Sequence, residues 1–89
     1  MRDPLDSQRV DKWLWHARVV RTRSAATALA AAGYVRVNGT RVAAGQAVRR
    51  GDVVTVALDR SVRVMAVQDF SERRGDSTRA RGLYRAVRA

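Results

Sequence analysis

The sequence predicts an α+β domain: two N-terminal helices packed on a small, mostly antiparallel twisted sheet. Two observations carry this. Apolar residues recur at helical spacing as far as Ala32, and the spacing then switches to two. An Asn38-Gly39 pair, a strong short-range hairpin signal, stands just after the switch.

Residues 1–8 read as a loose leader, because Pro4 and mixed charges leave no period. Residues 9–20 read as the first helix, with Val10, Trp13, Leu14, Ala17 and Val20 on one apolar stripe. Lys12, His16, Arg18 and Arg21 fall off that stripe. Trp15 lies about 200° around the helix from Trp13, so both rings cannot enter one core. Trp13 fits the stripe; Trp15 is left either to pack under the C-terminal segment or to stack on a base, and packing is the favoured reading.

A second helix is expected at 23–32, with Thr22 as N-cap and Ser24 as the alternative. Ala25, Ala28, Leu29 and Ala32 face inward, and Gly33 suits the left-handed residue that ends the helix. Strands follow at 34–37, from Arg41, around 46–48, at 53–58 and at 61–67. The expected core joins the first-helix stripe and Leu29 to Val35, Val37, Val42, Val48, Val54 and Val56. Residues 71–89 are polar and basic. Ala80, Leu83, Tyr84 and Val87 share helical spacing, so a short C-terminal helix is one reading and a frayed tail the other.

The chain has 89 residues, which bounds it to one domain, here placed at 9–70, with one modest core. No Cys is present and His16 is the single His, so disulfides and thiolate metal sites are excluded, and no metal or cofactor is expected. The N-terminus shows no charged run followed by an apolar one, and no stretch is long and apolar enough to span a bilayer. A cytoplasmic location without membrane contact is therefore expected.

Catalytic chemistry finds little support. The serines have only His16 as a potential base, and no local motif pairs them. Asp11, Asp52, Asp59 and Asp69 sit apart, near turns or helix starts. Asp11 reads as a first-turn acid that favours the helix dipole and braces nearby cations. The six glycines form no phosphate loop. The chain is read as a non-enzyme with no small-molecule substrate.

Charge is the strongest functional signal. Eighteen cations face eight acids, a formal net charge of +10. A domain this basic is usually held near polyanions, nucleic acid first. One run is Arg9, Lys12, Arg18, Arg21 and Arg23, opposed only by Asp11. It occupies the helix–turn–helix edge, where the second helix also presents free N–H groups. A second run is Arg73, Arg74, Arg79, Arg81, Arg85 and Arg88.

The segments Arg9-Val10-Asp11-Lys12-Trp13-Leu14-Trp15, Arg18, Thr22-Arg23-Ser24, Gly33 to Gly39 and Gly51 to Val56 together resemble the RNA-binding domain of the ribosomal protein S4 type, over about residues 9–58. The Asp-Lys-Trp-Leu-Trp run and the stand-alone size resemble, within that superfamily, the ribosome-associated heat-shock family. The resemblance implies two helices on a small sheet, with RNA bound along the helical edge. Carried over, the RNA-binding candidates are Arg9, Lys12, Arg18, Arg21 and Arg23, with Arg36, Asn38 and Arg41 in second rank. Asn38 and Gly39 also have a sufficient role as turn residues.

The same resemblance implies structured RNA as partner, ribosomal RNA of the large subunit and tRNA above all, and a role in rescue of stalled translation. The free chain is expected to be monomeric. Ala44-Gly45 departs from the family pattern, and the sequence stops at Ala89, short of the longer basic tail of larger members, for which Arg79 to Arg88 are expected to substitute in part. Two other readings stay open: an RNA-binding subunit serving an RNA-modification enzyme in trans, and a DNA-binding nucleoid-type protein.

Overall fold

The computed structural model describes residues 6–87; Arg88 and residues 1–5 of the leader lie outside the described residues. In chain order the elements are β1 (Ser7–Arg9), α1 (Val10–His16), α2 (Arg23–Ala31), β2 (Val35–Val37), β3 (Thr40–Arg41), β4 (Ala47–Arg49), β5 (Val53–Ala57), β6 (Val62–Val67), α3 (Ser77–Arg81) and β7 (Tyr84–Ala86). Five strands form one sheet in the order β3-β2-β5-β6-β7, and β1 pairs with β4 in a second, two-stranded sheet. Every pairing is antiparallel. The α+β class expected from the residue pattern is the class observed.

Both N-terminal helices end in the same way. After α2 the Gly33 N–H bonds to the Ala30 carbonyl and the Tyr34 N–H to the Leu29 carbonyl, with Gly33 at φ +85°. This is the Schellman closure expected of a glycine at that position. After α1 the Arg18 N–H bonds to Trp15 and the Val19 N–H to Leu14, with Arg18 at φ 59°. The closure is identical, but a non-glycine occupies its left-handed position. Helix α1 therefore stops at His16, four residues short of the sequence expectation. The apolar spacing continues to Val20 because Val20 is buried from the connecting segment rather than from a helix.

The start of α2 is as expected: the Thr22 hydroxyl accepts the Ala25 N–H at 3.1 Å. The Asn38-Gly39 turn has both residues at positive φ, 51° and 84°, the backbone of a tight hairpin between β2 and β3. The Asn38 side chain does more. Its Nδ2 donates to Asp52 Oδ1 at 3.1 Å and its Oδ1 accepts the Val53 N–H at 2.9 Å. The hairpin tip is thereby fastened to the start of β5.

Alternation puts Val35, Val37, Val54, Val56, Met65 and Val67 on one face of the five-stranded sheet, all buried. They join Val10, Trp13, Leu14, Val20, Ala26 and Ala30 in one core, to which Val48 from β4 and Phe70 also belong. Val42 and Leu29, placed in the core by sequence, are only partly buried against it.

Two boundaries differ from the sequence reading. Ser7 and Gln8 are not leader: they pair with Arg49 and Val48, and Gln8 is buried. The break expected after residue 70 is not a break in packing, since Phe70, Ser71, Ala80 and Leu83 are all buried. The C-terminal helix exists but is short and early. Asp76 caps it by accepting the Arg79 N–H at 2.8 Å, and Tyr84 to Ala86 then form an edge strand on β6. The frayed-tail alternative is overturned by that pairing, which places backbone hydrogen bonds where the tail would have been free.

Candidate nucleic-acid interface

Asp11 organises the first cation run. It is almost fully buried, and its carboxylate accepts the Arg9 Nε–H at 3.1 Å and an Nη2–H at 3.0 Å. It also accepts the Lys12 amide at 2.7 Å and the Thr27 hydroxyl at 3.2 Å, and Arg23 Nε lies 3.7 Å away. Burial pushes this carboxyl up. The Arg9 hydrogen bonds, the Lys12 amide and the charges of Arg9 and Arg23 outweigh burial, so the group sits below the ordinary aspartate range. One buried anion thus anchors cations from β1 and α2 on the helical edge, while both guanidinium groups stay about half exposed.

Lys12 follows Asp11 in α1 and Arg21 precedes the Thr22 cap of α2; among the described residues neither side chain has a hydrogen bond or an ion pair. Arg9 and Arg23 thus share one compensating carboxylate at the helical edge. The α2 N-terminus adds backbone N–H groups that Thr22 satisfies only in part.

Arg18 is placed differently. Its Nε and Nη2 donate to the Gly75 carbonyl at 3.0 and 2.8 Å. It is exposed, but its guanidinium is already a tie between the end of α1 and the C-terminal segment. Arg74 returns the tie, its Nε donating to the Trp15 carbonyl at 3.1 Å. Trp13 Nε1 donates to the Asp69 carbonyl at 3.2 Å. The Trp15 ring is partly buried against the core and tilted against His16, centroids 5.2 Å apart.

His16 lies off the apolar stripe of the first helix, yet the structure buries it. Burial lowers its pKa, the bond to the Ser71 carbonyl acts the other way, and the charges of Lys12, Arg23 and Arg74 lower it further. The net shift is downward, so the ring is neutral, and Nδ1 carries the proton given to Ser71 at 2.9 Å. No sequence signal separates this buried His from a surface one, because its partner lies 55 residues away.

Of the second-rank candidates, Asn38 has its side chain committed to Asp52 and Val53. Arg36 and Arg41 are exposed on the sheet face turned away from the helices, opposite each other across β2 and β3. They do not join the Asp11 cluster. Of the second run, Arg79, Arg81 and Arg85 are exposed, and Arg74 is tied to Trp15. Among the described residues no three His, Cys, Asp or Glu side chains converge as a metal site requires, and no helix is long and apolar enough to cross a membrane.

Two helices over an antiparallel sheet, with the family match to this chain, make it an RNA-binding domain of a known class. The chain belongs to the S4 domain family, whose model matches residues 8–54. It is similar to the heat shock protein 15 homolog of Aeromonas salmonicida, 38% identical over 81 residues, and to heat shock protein 15 of Escherichia coli K12, 32% identical over the same length. Each match covers 91% of this chain and 61% of the relative, so the chain spans about three-fifths of the length of these relatives. The trimeric structure of Vibrio cholerae heat shock protein 15 superposes with a TM-score of 0.86 at 32% identity, covering 91% of this chain and 82% of that one.

Proposed function

We propose that this chain is a non-enzymatic RNA-binding accessory factor that binds ribosomal RNA on the large ribosomal subunit in the cytoplasm and acts in the rescue or recycling of stalled translation, next to tRNA. The observation that carries the reading is the Asp11-centred edge. Arg9 and Arg23 are pre-positioned there by one buried carboxylate, and Lys12 and Arg21 are left without protein partners among the described residues. Cations held in place before binding lose less side-chain freedom when they meet phosphate. Similarity to proteins named heat shock protein 15 supports a heat-shock-type role.

The test is co-sedimentation of the purified chain with separated small and large ribosomal subunits at low and moderate salt. Salt-sensitive binding to the large subunit alone supports the proposal. Equal binding to both particles leaves a general RNA-binding module and removes the ribosomal role. The free chain is read as a monomer, although the Vibrio cholerae relative is described as trimeric. Sedimentation equilibrium of the free chain decides between these states.

A further inference from the structure

The five-stranded sheet turns one face to the helices; on the other face its β3-β2 end is open, with Arg36, Arg41 and Val62 exposed. On that face lies a groove of about 310 Å³, lined by Gly33, Tyr34, Arg36, Arg41, Thr55 and Val62, together with Ala57. Its size is at the lower end of small-ligand sites. Three features mark it out.

First, Arg36 and Arg41 are direct cross-strand partners. Like charges directly opposite each other in a sheet are destabilising. Neither has an ion pair or hydrogen bond among the described residues, and the groove contains no acid. Second, the Arg41 guanidinium lies over Gly33, its carbon 3.5 Å from where a Cβ would stand. Gly33, Tyr34 and Arg41 line the groove together. Third, Tyr34 and Val62, the large apolar residues most open to solvent, are 54% and 63% exposed, and both line this groove. An exposed aromatic ring sharing a groove with two uncompensated Arg is the combination that single-stranded nucleic acid uses, the ring for a base and the cations for the backbone.

We propose that this groove holds one unpaired nucleotide of RNA, its base stacked on Tyr34 against Val62 and its flanking phosphates on Arg36 and Arg41. The site is separate from the helical edge, and the inference rests on the RNA-binding reading of the chain. The domain then grips RNA twice: the helical edge takes structured backbone, and the sheet takes a neighbouring single-stranded residue. The occupant is RNA, because an acidic peptide would satisfy the two Arg but give no use to the exposed ring.

The test is titration of the isotope-labelled chain with a short oligouridylate, followed by amide chemical shifts, alongside affinities for that oligomer and for an RNA hairpin. Shifts at Arg36, Thr55 and Val62 are expected. Tyr34→Leu should weaken oligouridylate binding by roughly 5- to 150-fold, the loss of one base–aromatic stack. Replacing Arg36 and Arg41 together by Gln should lower the salt slope by about 1.4, the single-strand value for two phosphates. Shifts confined to α1 and α2, or Tyr34→Leu binding oligouridylate as wild type does, would overturn the proposal. So would a polyglutamate peptide that gives the same shifts and competes equally with the oligomer. If the hairpin still binds, and Lys12→Ala weakens it, the nucleotide site falls alone. If wild type binds neither RNA, the RNA-binding reading falls with it. Tyr34 is exposed, so Tyr34→Leu is expected to fold, and the wild-type shift map decides the site without any variant.

Discussion

His16 Nδ1 and the Ser71 carbonyl lie 2.9 Å apart, joining the last residue of α1 to the segment that leads to α3. The same carbonyl accepts Gln8 Nε2–H at 2.8 Å. Donors from β1 and α1 therefore converge on one backbone oxygen of the C-terminal segment. That oxygen, with the Asp69 and Gly75 carbonyls, is why residues 69–76 belong to the domain rather than to a tail.

The first prediction follows from the neutral, buried His16. Its folded pKa lies below the ordinary value near 6.5 because burial opposes the charged ring. Below about pH 6.5 the unfolded chain binds a proton that the folded chain resists. Stability is then full above that pH and falls as pH drops toward the folded pKa. Urea unfolding between pH 8 and pH 5 should show this loss, and His16→Phe should flatten it. An equally steep profile in the variant would place the effect elsewhere.

Asp11 sets the second. Asp11→Ala removes a buried acceptor of the Lys12 amide, the Thr27 hydroxyl and Arg9 together. A loss of about 2–3 kcal/mol is expected in denaturant unfolding, since a buried amide and cations are left without their partner. Asp11 also sits below the ordinary aspartate range, so its contribution is present above that range and is lost as pH falls through its folded value. The acid limb of the unfolding profile should therefore be shallower in Asp11→Ala.

Arg18 and Arg23 should separate. Arg23→Ala is expected to weaken RNA binding and lower the salt slope by roughly 0.9 with little change in stability. Arg18→Ala should lower stability, because it loses the Gly75 tie yet keeps a left-handed backbone. Arg18→Gly loses the same tie but relieves the backbone, so it should be about 1 kcal/mol more stable than Arg18→Ala. Equal melting temperatures for the two variants would remove the strain argument.

Salt dependence tests the whole edge. If about five phosphates are neutralised, affinity should fall roughly 500-fold between about 50 and about 200 mM salt. A flat profile in a filter-binding series would count against a phosphate-contacting edge.

Asn38→Ala should act on the fold. It leaves the Val53 amide and Asp52 without their side-chain partner and is expected to cost about 1–2 kcal/mol in thermal or urea unfolding. RNA affinity measured on the folded fraction should stay close to wild type.

The sequence by itself determined the elements whose signals are local. The Thr22 cap, the Gly33 closure, the Asn38-Gly39 hairpin and the alternation of Val35, Val37, Val54 and Val56 each depend on residues within a few positions of one another. Backbone sterics and periodicity act at that range. The cations near Asp11 were legible for the same reason, since Arg9, Asp11 and Lys12 are neighbours in the chain.

Tertiary structure decided what long-range acceptors control. Arg18 ends α1 although nothing in its residue type announces a left-handed position, and its guanidinium meets Gly75 far along the chain. His16 is buried rather than exposed because the Ser71 carbonyl satisfies its Nδ1. Tyr84 shares helical spacing with Ala80 but pairs as a strand, because β6 offers an open edge that a lone helical turn cannot match. Arg36 and Arg41 leave the helical edge because strand alternation turns them to the opposite face of the sheet.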